Sequence, residues 1–258
     1  MKSNKTNFLE HFLLPKEMHC AIHKAKNSLS FGGECLPDSL IYLDFASSTP
    51  LDLRVYKKME PWLLSYFGNP SSFHPMGKMA SHALAESRML IAKVLGVHFE
   101  EVIFTASATE SNNLVLRGLV ENPQRKRKKV VYCATEHSSI ANTAKQLSEN
   151  LGIDSVELPV DEYGQILIAE AKKIIDENTL CVCVMDLNNE TGIVQSKLDE
   201  VALLAQEAKA HFHIDCVQGF ARKKSFHLQQ IPFDTCVISD FFKKIPAVIH
   251  QLKKRSPG

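Results

Sequence analysis

Short apolar runs recur along this chain, and most are apolar throughout rather than at alternate positions. Leu180-Cys181-Val182-Cys183-Val184-Met185 is the clearest of them. A strand with one face in water alternates apolar and polar side chains, whereas a strand covered on both faces has no need to. The runs Val102–Thr105, Val130–Ala134, Ser155–Leu158, Leu180–Leu187, His211–Ile214 and Thr235–Ser239 read as strands. Helical periodicity falls between most of them, at Ile140–Leu147, Ile168–Ile175 and Leu198–Ala208. The alternation predicts an α/β fold with a parallel or mostly parallel sheet flanked by helices.

Ahead of the first strand, Val55, Met59, Leu63 and Tyr66 mark one helix, which Gly68-Asn69-Pro70 stops. A second starts at Gly77, buries Ala80, Leu84, Ser87, Ile91 and Val94, and ends at Gly96, a residue suited to a C-cap. Residues 1–40 read as an N-terminal extension. With 258 residues, 45% of them hydrophobic, the chain suits one large α/β domain or a domain and part of a second. The net charge of +1 excludes a global field for recruiting nucleic acid or an anionic membrane. Arg125-Lys126-Arg127-Lys128-Lys129 has no interleaved aromatic residue and reads as a solvated loop.

The seven cysteines (Cys20, Cys35, Cys133, Cys181, Cys183, Cys216 and Cys236) form no C-x-x-C pair and no regular spacing. Neither a zinc knuckle nor a disulfide frame fits them, no metal site is expected, and a reducing cytoplasm is the simplest setting. Cys181 and Cys183 share one face of their strand and read as core residues. No stretch has the length of a signal-peptide core or a membrane span.

Ligands of such a sheet collect outside the carboxyl ends of its strands, and the polar clusters of this chain fall there. Thr109 follows one strand, Thr135-Glu136-His137 the next, Asn188-Asn189-Glu190 another, Asp215-Cys216-Val217-Gln218 another and Ser239-Asp240 the last. Ala108 and Thr109 open a helix directly after a strand, where free N–H groups at the positive end of the helix dipole can seat a phosphate. Neither a P-loop nor a G-x-G-x-x-G turn is present, so the ligand is a phosphate compound of another kind. Asp215, closing an apolar strand, needs a cationic partner such as a protonated pyridine nitrogen, unless it caps a helix. His137 can stack on a planar ring or carry a proton, or stand as a loop histidine at a helix start. Asn189 and Gln218 offer neutral amide donors to an aromatic oxyanion such as a pyridoxal phenolate, or serve as turn and cap residues.

These residues lie in stretches that resemble the cysteine desulfurases of the class V aminotransferase group, fold-type I pyridoxal phosphate enzymes. The matching stretches are Tyr42 to Pro50, Phe67 to His74, Phe104 to Asn113, Thr135 to His137, Asn188 to Gly192 and His213 to Gln218, in order across roughly residues 41–239. The resemblance implies the large domain of such an enzyme, with pyridoxal 5′-phosphate as cofactor. Ala108, Thr109 and Ser239 would hold its phosphate, His137 would stack on its ring, Asp215 would pair with the ring nitrogen, and Asn189 and Gln218 would face the phenolate oxygen. It also implies conversion of L-cysteine to L-alanine, with the sulfur passed to an acceptor as a persulfide for iron–sulfur cluster or thio-cofactor assembly. A sulfur-acceptor or scaffold protein, a homodimer, a cytoplasmic setting, and neither nucleic acid nor membrane as partner complete that picture.

The departures are specific. The family places its cofactor-bearing lysine three residues after the serine matched by Ser239, but here Phe242 fills that position and Phe241 fills the preceding histidine's. Lys243 is the candidate catalytic lysine, one residue out of register, and a one-residue slip on extended backbone turns a side chain to the opposite face. Ser107 stands where the family has glycine. Resemblance stops after Ser239, so the chain divides into the extension 1–40, a cofactor-binding large domain 41–239 and a divergent tail 240–258. The expectation is a C-terminally truncated member whose small domain, persulfide cysteine and carboxylate-binding arginine are largely missing, with sheet and helix surface left exposed. Alternative readings are an inactive cofactor-binding remnant or a partner of an intact homologue.

Overall fold

The computed structural model describes residues 43, 46–47, 51–220 and 231–239, and the backbone of 240 and 245–250. Two helices come first, α1 (Leu53–Leu64) and α2 (Pro75–Leu95). Asp52 caps α1 by accepting from the Arg54 amide, and the same arginine's guanidinium holds the half-buried Asp52 carboxyl down to about 2. α2 starts two residues earlier than the apolar pattern predicts, because His74 caps it through Nδ1 and Pro75 suits the first helical position. It ends as expected at Gly96, whose φ of 70° is the left-handed conformation that glycine adopts without strain. Gly77 is required for a different reason: a Cβ there would lie 2.2 Å from the Ser72 carbonyl oxygen.

From there strands and helices alternate: β1 (Val102–Phe104), α3 (Ala108–Val120), β2 (Lys129–Cys133), α4 (Ser138–Leu151), β3 (Asp154–Leu158), α5 (Ile168–Ile174), β4 (Thr179–Met185), α6 (Leu198–Glu207), β5 (His211–Asp215), β6 (Thr235–Asp240) and β7 (Ile245–His250). The strands form one seven-stranded sheet in the order β1-β7-β6-β5-β4-β2-β3. β2 to β6 pair in parallel, and β7 runs antiparallel to both its neighbours, β6 and β1. The six strands read from the sequence are all present, with ends moved by a residue or two. β7 is additional, and its residues belong to the segment read as a divergent tail.

The apolar runs are covered on both faces. On one face Val131, Val182, Val184, Phe212, Ile214, Cys236 and Ile238 pack against Ala171 of α5, the apolar side of α6 and the end of α2. On the other, Val130, Tyr132, Cys181 and Cys183 pack against Leu116 of α3 and Ile140, Ala144 and Leu147 of α4. All seven residues of β4 are buried, as a run without alternation requires, and all five of β5 are buried although its polar and apolar residues alternate. Cys181 and Cys183 do share a face, their sulfurs 3.6 Å apart.

The basic run is not simply a solvated loop. Arg127 donates to the carbonyls of Thr179, Ala208 and Lys209, stapling the start of β4 to the turn after α6. Lys129 belongs to β2, donates to the Ile174 carbonyl and pairs with Asp176 at 2.7 Å. Arg125, Lys126 and Lys128 are exposed.

Candidate active site at the carboxyl ends of the strands

Parallel pairing puts the ends of β2, β4, β5 and β6 on one edge, and the first turns of α3 and α4 start from that edge. Ser107 caps α3: its Oγ accepts from the Glu110 amide at 3.0 Å, and its carbonyl accepts from the Ser111 amide. The amides of Ala108 and Thr109, at the first two helical positions, have no preceding turn to bond. Ala108 packs beside Val115 and Val237, which fixes the helix start against β6, and Thr109 is exposed. Ser239 lies half-buried further along β6, in register with Pro246 of β7.

Asp215 is the last residue of β5 and is 3% exposed. Its Oδ2 accepts from the Asn112 side-chain amide at 2.9 Å and its Oδ1 from the Val217 backbone N–H at 3.0 Å. Burial pushes its carboxyl up, against the pull of those two hydrogen bonds and of His137. Among the described residues no lysine or arginine forms an ion pair with it. It caps no helix among the described residues.

His137 is the N-cap of α4, its Nδ1 accepting from the Ser139 amide at 3.1 Å. The loop-histidine reading and the ligand reading are therefore compatible, because capping occupies Nδ1 and leaves Nε2 and the ring faces of an exposed residue. The Ser139 hydroxyl lies 2.9 Å from His137 Nδ1 and accepts from Asn112 at 2.9 Å. Asn112, in the second turn of α3, thus ties His137 to Asp215. Its carbonyl oxygen meets His213 Nε2 at 3.0 Å, and His213 Nδ1 and His211 Nε2 each lie 2.8 Å from the Thr235 hydroxyl.

Gln218 is 6% exposed and donates to the Ala46 carbonyl at 3.1 Å. Asn189 is half-buried after β4, and its amide donates to neighbouring Glu190. Asn188 builds that turn, accepting from the amides of Glu190 and Thr191 and donating to the Thr135 carbonyl at 2.9 Å. Hydrogen bonds join Asp215 and His137 through Asn112 in the second turn of α3 and Ser139 in the first turn of α4; Asn189 and Gln218 lie on the same edge with other partners. Lys243 lies outside the described residues.

Glu136 has one oxygen on the Met185 amide and the other buried without a hydrogen-bond partner among the described residues. Burial, with the charge of Asp215 next, pushes its carboxyl well above the usual range. The thiols near the edge are unsuited to nucleophilic attack: burial pushes Cys133 and Cys216 up, and Cys181 beside it, with burial, does the same to Cys183. Among the described residues no cluster of histidine, cysteine, aspartate or glutamate could hold a metal ion, and no helix is long and apolar enough to cross a membrane.

The donor set suits a group that is anionic at one end and cationic at the other: a helix N-terminus packed beside β6 and, at the end of neighbouring β5, a buried carboxylate that pairs with no lysine or arginine among the described residues. Joined to a mostly parallel sheet with helices on both faces, this defines the large domain of fold-type I pyridoxal phosphate-dependent enzymes. The class-V aminotransferase family model matches residues 41–241, and the chain belongs to that family.

Curated relatives include the cysteine desulfurase IscS of Rickettsia prowazekii (strain Madrid E), 39% identical over 183 residues that span 70% of this chain and 44% of the relative. The cysteine desulfurase IscS of Dictyoglomus turgidum (strain DSM 6724 / Z-1310) is 37% identical over 178 residues, 69% of this chain and 45% of the relative. The chain therefore spans less than half the length of these curated relatives. A solved NifS-like protein superposes with a TM-score of 0.77 at 30% identity, covering 84% of this chain and 60% of its own. SspA in complex with cysteine gives 0.75 at 30% identity, covering 84% and 63%.

Sequence reasoning missed Asn112, Ser139, His213 and Thr235. Asn112 sits inside the stretch read only as a phosphate turn. His211-Phe212-His213-Ile214-Asp215 alternates polar and apolar, which places its three polar side chains on one face of β5, and that alternation was the available signal.

Proposed function

We propose that this chain is the cofactor-binding large domain of a pyridoxal phosphate-dependent enzyme that acts on L-cysteine, releasing L-alanine and passing the sulfur to an acceptor as a persulfide. The observation that carries the proposal is Asp215, a buried carboxylate held by Asn112 and Val217 with no lysine or arginine paired to it among the described residues. In that state it would hold a proton on a pyridine nitrogen. The bound cofactor would supply an electron sink for the carbon atoms of an amino acid.

In this reading the Ala108 and Thr109 amides, the Thr109 hydroxyl and Ser239 bind the phosphate. His137 lies against the ring and can move a proton at Nε2, the nitrogen that capping leaves free. Asn189 and Gln218 donate to the phenolate oxygen, after the Asn189 amide turns from Glu190. Lys243 or its neighbour Lys244 supplies the amine that holds the cofactor covalently. Similarity to the two IscS cysteine desulfurases, and to a relative solved with cysteine, supports L-cysteine as substrate. A sulfur-acceptor protein, self-association and a cytoplasmic setting belong to the same proposal.

The test is the visible absorbance of the purified chain with pyridoxal phosphate, followed by borohydride reduction and peptide mapping. The expected outcome is a visible band and a reduced adduct on Lys243 or Lys244. A band without a lysine adduct would favour a cofactor-binding remnant, and neither signal would remove the proposal.

A further inference from the structure

The buried polar groups behind Asp215 can be read for direction as well as distance. The Asn112 side chain meets Asp215 Oδ2 and Ser139 Oγ with its nitrogen, both at 2.9 Å, and His213 Nε2 with its oxygen at 3.0 Å. A carboxylate only accepts, so the amide nitrogen must face Asp215 and the amide oxygen must face His213. His213 then donates from Nε2. Being neutral, it has a bare Nδ1, which accepts the hydroxyl proton of Thr235 at 2.8 Å. The Thr235 oxygen in turn accepts from His211 Nε2 at 2.8 Å.

The other branch follows the same rule. The Ser139 oxygen accepts from Asn112 and gives its own proton to His137 Nδ1 at 2.9 Å, which also accepts the Ser139 amide. The His137 proton is therefore on Nε2. These proton positions are assigned from the network, and every bond runs one way, from His211 through Thr235, His213 and Asn112 to Asp215 and, by Ser139, to His137.

We propose that Thr235, His213, Asn112 and Ser139 form a one-way donor relay that positions Asp215 as a hydrogen-bonded carboxylate and His137 as its Nε2–H tautomer. All four are buried, with Asn112 and His213 fully so, and a reversal at any link would set two donors or two acceptors face to face. The functional meaning of the relay rests on the proposed pyridoxal phosphate site; the tautomers do not.

Two readouts keep these apart. Nitrogen-15 NMR of the ligand-free chain, without any substitution, is expected to show Nε2–H tautomers at both His137 and His213 at neutral pH. Thr235→Val removes the proton donor to His213 Nδ1 and is expected to give His213 a mixture of tautomers, with affinity for pyridoxal phosphate about tenfold weaker. Thr235→Ser restores both. An Nδ1–H tautomer or an imidazolium at His213 in the unsubstituted chain overturns the relay, as does a valine variant with unchanged histidine signals. If the valine variant does not fold, the unsubstituted chain's tautomers decide. Assigned tautomers in a chain that binds no pyridoxal phosphate would leave the relay standing and remove the proposed cofactor site.

Discussion

His213 is fully buried inside the relay, and burial holds its imidazole down to about 3 from 6.5. Below pH 6.5 the unfolded chain takes up a proton that the folded chain refuses. The stability gained by keeping this ring neutral is complete above pH 6.5 and lost as pH falls toward 3, by at most about 1.4 kcal/mol per pH unit. Glu136 and Asp215 titrate with the opposite sign, because their folded carboxyls are raised and take up protons on folding. The histidine contribution is therefore read as a difference. In urea titrations, the gap in stability between the unsubstituted chain and His213→Gln is expected to narrow by about 2 kcal/mol between pH 7 and pH 5. Parallel profiles would show that His213 is not excluded from protonation.

At the scale of elements, the start of α3, proposed above to seat the phosphate, depends on its cap. Ser107→Ala removes the acceptor of the Glu110 amide and is expected to cost about 1 kcal/mol, seen as a lower urea midpoint at constant slope. Ser107→Gly should cost only a few tenths of a kcal/mol. An alanine variant as stable as the unsubstituted chain would mean that water serves the Glu110 amide equally well. Elements with a strong local signal were legible in the sequence: short apolar or alternating runs marked six strands, and Gly96 marked the end of α2. β7 was not, because the resemblance that organised the reading stops at Ser239, six residues before the strand begins. Nor was the stapling by Arg127, since the carbonyls it binds lie 52 to 82 residues away. Asp215 and His137 could be placed at strand ends from pattern alone, but Asn112, which joins them, is 103 residues from Asp215 and gave no local cue.

For the whole molecule, the uneven distribution of apolar surface matters most. α1 buries none of its residues, and Leu63, Leu64, Phe67 and Phe73 are 65%, 73%, 79% and 92% exposed. Apolar surface of this extent drives association. The chain is expected to bind a hydrophobic dye and to sediment faster as concentration rises, and the double variant Leu64→Lys, Phe67→Lys is expected to reduce both. A monomer at every concentration, without dye binding, would contradict that expectation.

The pairing of β1 gives the molecule a direction in time. Among the described residues β1 meets the sheet only through β7, with Val102 opposite Ile249 and Phe104 opposite Ala247. The turn that follows β1 presents the Ala108 and Thr109 amides. On a ribosome, β2 to β5 can assemble as they emerge, because each finds its neighbours within a short stretch of chain. β1, although made before them, must wait for residues near 249 to leave the tunnel before it gains a place in the sheet. The turn proposed to seat the anion, begun early in translation, is among the last parts of the molecule to be secured.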